Sequence, residues 1–319
     1  MKRTLLIWAS MACMTVHSVT AQDAAVNKII EIGQTDNQVM DHLDVLTNRI
    51  GGRVIGSNAY DNAVEWVASK FTEWGLEVEL QEAGTLPVGF NRGPWFGKLL
   101  GENGMELHFV TPSYTAGTKG VQRGHVLQEP LTQSEFDRMK GQLKGAWVLI
   151  NGKNVGWPVD RSAKGDSIRA AIISENNETA KKNHQIMEDN WRNNTDNPLL
   201  PLKEDVPALF YKQMCEAGVL GFIQSATVPL RALYDKAIIH DPTFTFDNLP
   251  EVCDIKLDEH QYAAIKQMVK ERRTFFLEFD IRNHFRMGPV KYYNVIGKIK
   301  GCKYPDEYVM ASGHLDAFE

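Results

Sequence analysis

Apolar residues at Val39, Leu43, Val45 and Leu46 fall on one helical face and predict a helix over about 37–49. The spacing lapses at Ile50-Gly51-Gly52-Arg53-Val54-Ile55-Gly56-Ser57, a glycine-rich loop without the Gly-Lys-Ser/Thr ending of a phosphate loop. Ser57 or Asn58 is placed to cap a second helix, whose stripe is Tyr60, Ala63, Val64, Val67, Phe71 and Trp74. Gly75 supplies its stop. The following Leu76-Glu77-Val78-Glu79-Leu80 alternates as a half-buried strand does.

A turn-rich junction at Tyr114–Gly120 opens a second unit. Within it, Leu143–Ile150 reads as a turn feeding a buried strand. Met214–Ile223 reads as a helix end, a glycine turn and another buried strand. The intervening Ser174–Pro198 is rich in Asn, Glu, Asp and Lys and reads as a solvated surface excursion. From Asp258 the pattern returns to a helix (Tyr262, Ile265, Met268, Val269), then strands over Phe275–Ile281 and Tyr293–Ile299. A last strand is expected over Glu307–Ser312, delivering Gly313-His314-Leu315-Asp316. The fold class expected is α/β: one domain interrupted by an inserted one.

Composition adds limits. The chain has 319 residues, 43% hydrophobic and 24% charged, the profile of an ordinary globular protein of about two domains. A formal charge of −5 supplies no basic field for nucleic acid. The one long apolar run, Leu5–Val16, follows Lys2-Arg3 and precedes Val19-Thr20-Ala21, the order of a secretory signal cut after Ala21. It is too short for a membrane span. Lipid attachment at Cys13 is the weaker alternative, because the box lacks its leading Leu. Secretion or export to a periplasm is therefore expected. Cys215, Cys253 and Cys302 remain, with no Cys-x-x-Cys spacing; they leave open buried thiols or a Cys215–Cys253 bridge. Sequons stand at Asn177 and Asn193.

The sharpest chemical signal is His314-Leu315-Asp316 after an apolar strand. Residues two apart on extended chain face one side, and the carboxyl end of an open α/β sheet is where ligands collect. A neutral imidazole suits zinc, and a neighbouring carboxylate orients it. Alone, His-x-Asp is common, and a surface histidine beside a solvated aspartate is the competing reading. His108, His125, His184, His240, His260 and His284 are scattered, with no His-Glu-x-x-His among them, and read as structural or solvated. Trp66, Trp74 and Trp147 read as core. Arg53, in the glycine loop, reads as a backbone-capping residue, with an approach to the site as the weaker alternative. No Gly-x-Ser-x-Gly elbow supports a serine hydrolase.

Several of these segments together resemble one family: secreted zinc peptidases of the plasma glutamate carboxypeptidase (carboxypeptidase Q) type, within the two-metal aminopeptidase superfamily. Leu46–Ser57 resembles that family's early "L-T-x-x-x-G-x-R-x-x-G-S" segment, and Tyr293–Gly301 followed by Glu307–Asp316 resembles its "N-V-I-x-x-x-x-G … G-H-x-D" approach. The middle resembles an inserted protease-associated (PA) domain of α+β type. The resemblance divides the chain into a signal peptide (1–21), the first part of a peptidase α/β domain (22–113), the inserted domain (114–257) and an incomplete continuation of the peptidase domain (258–319).

It implies an exopeptidase acting on dipeptides or short peptides with two zinc ions, His314 as a metal ligand and Asp316 as its acidic catalytic partner. The family's remaining ligands and its Glu general base would follow Glu319, so this chain alone is expected to be inactive. It is also expected to be poorly stable, because the Glu307–Ser312 strand would lack partners. A homodimer is compatible with the resemblance. The alternative is a non-catalytic, receptor-like relative whose inserted domain binds peptides or pairs subunits.

Overall fold

A computed structural model describes residues 24–101 and 104–319. The expected signal peptide and Cys13 lie outside the described residues. No helix among them is long and apolar enough to cross a membrane. The chain separates into two units, 1–51 and 52–319.

In the first unit, helix α1 (24–35) is followed by α2 (Val39–Asp44), which widens into a π-helical turn, Val45–Ile50. The helix expected over 37–49 is thus present, but Val39, Met40 and Leu43 of its stripe are exposed.

The second unit starts with the glycine loop and α3 (Asn58–Glu73). Ser57 is the cap: its Oγ accepts from the Tyr60 N–H at 3.1 Å. Gly75, at φ +78°, ends the helix, donating to Thr72 O while Leu76 N donates to Phe71 O, the paired bonds of a Schellman stop. Trp74, expected in the core, is instead exposed, its ring tilted 44° to that of Phe71 with centroids 5.8 Å apart. It sits on the last turn of the helix, beyond the reach of the face that Tyr60, Ala63 and Val64 bury.

The body of this unit is layered. One sheet has the order β5 (Phe109–Val110), β10 (Cys253–Asp258), β9 (Gly221–Ala226), β8 (Trp147–Asn154), β7 (Val126–Gln128), with only β5 antiparallel. The architecture is therefore mixed α/β around a mainly parallel sheet. Such a sheet is covered on both faces, and β8 shows how. Trp147 and Leu149 join Leu277, Phe279 and Ile265 in one cluster; Val148 and Ile150 join Phe136, Ile172, Phe210 and Met214 in the other. The first face is covered by α8 (Glu259–Lys270) and a four-stranded antiparallel sheet, β4 (Met105–Glu106), β3 (Trp95–Leu100), β11 (Phe276–Ile281), β6 (Gln122–Gly124). Trp147 satisfies its indole N–H on Leu277 O at 3.1 Å, so its complete burial leaves no donor unpaired. The second face is covered by α4 (Gln133–Met139), α5 (Ala163–Asn193) and α6 (Tyr211–Glu216). Pairing crosses both expected boundaries at 114 and 257: β5, before the first, pairs with β10, and β11, after the second, pairs with β6.

Two ribbons flank this body. Strands β1 (Glu77–Leu86) and β13 (Val290–Lys298) pair antiparallel, and β2 (Gly89–Asn91) pairs with β12 (His284–Arg286). Near them Val54, Leu86, Phe90, Tyr114, Tyr234 and Phe244 form a third cluster, joined by Ile239 of the short helix α7 (Lys236–Ile239).

The solvated stretch 174–198 is mostly exposed, as expected, and α5 runs through it to Asn193, 31 residues in all. One expectation is corrected. Glu307–Ser312 is not a strand, because an apolar run makes a strand only when another strand completes its ladder, and none of the described strands pairs with it. Tyr308, Val309 and Met310 are left fully open to solvent. The three described cysteines are all free: Cys253 is buried, Cys215 half-buried and Cys302 exposed, so no Cys215–Cys253 bridge forms.

Candidate metal-binding site

His314 and Asp316 lie within the segment that follows the unpaired run. Their side chains meet: His314 Nδ1 and Asp316 Oδ1 are 2.8 Å apart. The ring is 90% exposed and the carboxylate 32%, so the opposite ring nitrogen, Nε2, faces outward. An aspartate at Nδ1 holds the proton there and leaves the Nε2 lone pair free, the arrangement in which a histidine binds a metal.

Arg53, from the glycine loop, holds the segment by its backbone and its side chain. Its N–H donates to Ala317 O at 3.0 Å and Ala317 N–H donates back at 3.1 Å. Its Nε donates to Leu315 O at 2.9 Å. Burial pulls the Arg53 guanidinium below its ordinary pKa, and Asp316 opposes that shift. Both parts of the sequence reading of Arg53 therefore hold together: it caps backbone groups, and those groups belong to the site.

The same aspartate is felt by two tyrosines. Burial raises Tyr60 and Tyr234, and the Asp316 charge raises both further. Tyr60 comes from the first turn of α3 and donates to Tyr293 O at 2.7 Å. Tyr234 comes from the loop before α7, and its ring is 6.2 Å from that of Phe318. Nothing in the spacing of the sequence marked Tyr234, because its neighbourhood to Asp316 exists only after the loop 230–235 has folded against the terminal segment.

The donor set decides what this site can hold. Among the described residues no three His, Cys, Asp or Glu side chains gather as metal ligands. Zinc takes three or four protein ligands, and catalytic pairs of zinc ions take more. One imidazole backed by one carboxylate does not fit two zinc ions, so no reaction step is derived through them. Three other histidines have partners of their own: His125 Nε2 bonds Gln142 O, His184 faces Glu188, and His284 Nδ1 lies 3.3 Å from Arg282 O.

No protein-family model matches the chain, and no curated protein matches it. Among solved structures, it is similar to a Peptidase M28 precursor from Shewanella amazonensis SB2B, at 16% identity and a TM-score of 0.48 over 93% of this chain and 58% of that one. It is similar also to a zinc aminopeptidase from Bacillus subtilis, at 14% identity and 0.39 over 82% and 47%, and to an aminopeptidase from Aneurinibacillus sp. strain AM-1, at 13% and 0.35 over 82% and 48%. The chain spans about half the length of these structures.

Proposed function

We propose that this chain is part of a secreted zinc exopeptidase acting on short peptides, in which His314 presents Nε2 to a metal and Asp316 fixes the ring from behind. The observation that carries the reading is the 2.8 Å contact at Nδ1 with the far side of the ring open. With its full set of ligands, such a metal would supply an activated water and polarise a carbonyl. What this chain's own residues do is narrower. Asp316 sets the tautomer of His314, and Arg53 holds the carbonyl of Leu315 and the peptide of Ala317. The sheet body, with the flanking strands that pair into it, is proposed as the inserted protease-associated module.

Because the donors present are too few for two metals, the proposal predicts that the 319-residue chain binds zinc weakly and does not hydrolyse dipeptides. Calorimetric titration with zinc, beside a dipeptide hydrolysis assay, tests this. Weak binding that disappears in His314→Ala, without turnover, is expected. Stoichiometric zinc with rapid turnover would overturn the partial-site reading, and zinc binding untouched by His314→Ala would overturn the role of His314.

A second reading, a non-catalytic peptide-binding module, is favoured by one feature. A surface groove of ≈ 380 Å³ runs along the short edge strand β5, lined by Trp95, Phe96, His108, Val228 and Pro229. Peptide binding that survives His314→Ala and is lost in Trp95→Ala would support it.

A further inference from the structure

Besides Arg53, a second residue from elsewhere in the chain holds the segment that carries the His314–Asp316 pair. Arg92, between β2 and β3, is buried with 8% of its side chain exposed. Its Nε donates to Glu319 Oε2 at 2.6 Å, Nη1 to Thr111 Oγ1 at 2.5 Å and Nη2 to Ser113 Oγ at 3.2 Å. The guanidinium lies over the rings of Phe90 and Trp95, 5.8 and 5.4 Å from their centroids. Asn283 Nδ2 bonds the same Thr111 oxygen at 2.9 Å. Glu319 is nearly as buried, 10% exposed, and is gripped again: its backbone oxygen accepts from Ala232 N at 2.8 Å, and its Oε2 lies 3.1 Å from Ser113 Oγ.

Gly52 completes the grip from the opposite side. A Cβ there would collide with Glu319 Cγ, Cβ and Cα, so the glycine loop passes this residue at a distance that only glycine permits. Its backbone is not in the left-handed region, so the close approach is the reason for glycine at this position.

A planar, permanently charged fork that is fixed by three acceptors and two rings is a rigid reference point. Glu319 is three residues from Asp316, and Arg53 takes up Leu315 and Ala317 on either side of Asp316. We infer that Arg92 is a positioning residue for the His314–Asp316 pair, acting through Glu319, with Gly52 as the close-contact surface on the other side. The inference rests on reading that pair as a metal-binding unit. It assigns a reason for joining the β-sheet body to the site: Arg92, Thr111, Ser113 and Ala232 all belong to the body or its loops, and together they set where the pair stands.

The test uses the 319-residue chain and two variants that approach the contact from opposite sides, Glu319→Gln and Gly52→Ala, with Asp316→Asn as the reference for an uncoupled ring. Amide hydrogen exchange at Ala317 and Ala232 reads the grip, the ring nitrogen shifts of His314 read the tautomer, and the urea midpoint reads global stability. Expected in both variants are exchange at the two amides faster by about tenfold or more, His314 shifts moving toward those of Asp316→Asn, and a urea midpoint close to wild type.

Unchanged exchange and unchanged shifts in both variants overturn the inference. Faster exchange with His314 shifts that stay at the wild-type values also overturns it, because Arg92 then secures the segment without positioning the pair. A wild-type ring signature identical to that of Asp316→Asn overturns the reading of the pair itself, and the positioning role with it, whatever the exchange rates do.

Discussion

The arm built from residues 176–203 and the run 307–312 reverse what their compositions promise. The arm is polar, without an apolar face continuous enough to dock, yet it is ordered. Asn176, Asn183 and Asn190, seven apart on α5, each bond both peptide groups of one residue on the chain that returns beside the helix. Asn190 takes Asn197 (Nδ2 to O 2.9 Å, N to Oδ1 2.9 Å), Asn183 takes Leu200 (2.9 and 2.8 Å), and Asn176 takes Lys203 (3.1 and 2.8 Å). The repeat fits because seven helical residues rise about 10.5 Å, close to the length of three extended ones. The prolines at 198 and 201 fall between the contacts, where no N–H is required. In contrast, Tyr308, Val309 and Met310 have the continuous apolar character of a buried strand and remain exposed. Order in this molecule follows from satisfied backbone groups, and apolar content alone does not create it.

The largest effect is expected where the arm joins the body. Glu129, after β7, accepts Asn151 N at 2.5 Å through Oε1 and Leu209 N at 3.2 Å through Oε2, tying the foot of the returning chain to the sheet. Burial outweighs those bonds and pushes its carboxyl up from 4.5 to about 7. A carboxyl raised in the folded state favours folding most below its unfolded pKa, and that contribution is lost as pH rises through the folded value. Stability from this group should therefore fall between about pH 4.5 and 7, by roughly 3 kcal/mol. Urea midpoints of wild type measured across that window, against the slope of Glu129→Gln, check this. Equal slopes would show that the arm's foot is not coupled to the titration of Glu129.

Next in size is the ladder. Asn176 is buried and also bonds Leu131 O at 2.9 Å, so Asn176→Ala leaves buried peptide groups unpaired and should cost about 1–3 kcal/mol in urea unfolding. Asn190→Ala, at the exposed end, should cost about 0.5–1 kcal/mol or less and show itself mainly as faster exchange of the Asn197 amide. Costs that do not decline from Asn176 to Asn190 would break the account of the arm as a ladder anchored at its foot. The smallest effect belongs to the unpaired run, where Val309→Thr should change stability within about 0.5 kcal/mol. A destabilisation well above that would mean the run packs against something.

Much of the fold was legible along the chain. Ser57 and Gly75 announced the limits of α3, the unbroken apolar run of β8 announced a sheet covered on both faces, and Tyr262, Ile265 and Met268 announced the buried side of α8. Each is a local signal, in which periodicity or a cap sits within a few residues of the element it specifies. The order of the arm was not legible, because it comes from amide pairs between residues up to 27 positions apart, which no hydrophobic period records. The strand at 307–312 was overcalled for the converse reason, since its pattern is right and its partner is missing among the described strands.

For the site, His314 and Asp316 were legible because their relation spans two residues. Arg92, Ser113, Ala232 and Tyr234 were not, because nothing within the chain links position 92 to position 319 until the sheets have stacked. By itself, then, the sequence determined the capped helices, the buried strands and the spacing that lets His314 meet Asp316, all properties set by neighbours in the chain. The tertiary structure alone decided which strands pair across the middle of the chain, that an asparagine ladder orders the arm, and that Arg92 meets Glu319. Those depend on long-range hydrogen bonds whose geometry exists only when the distant segments are packed together.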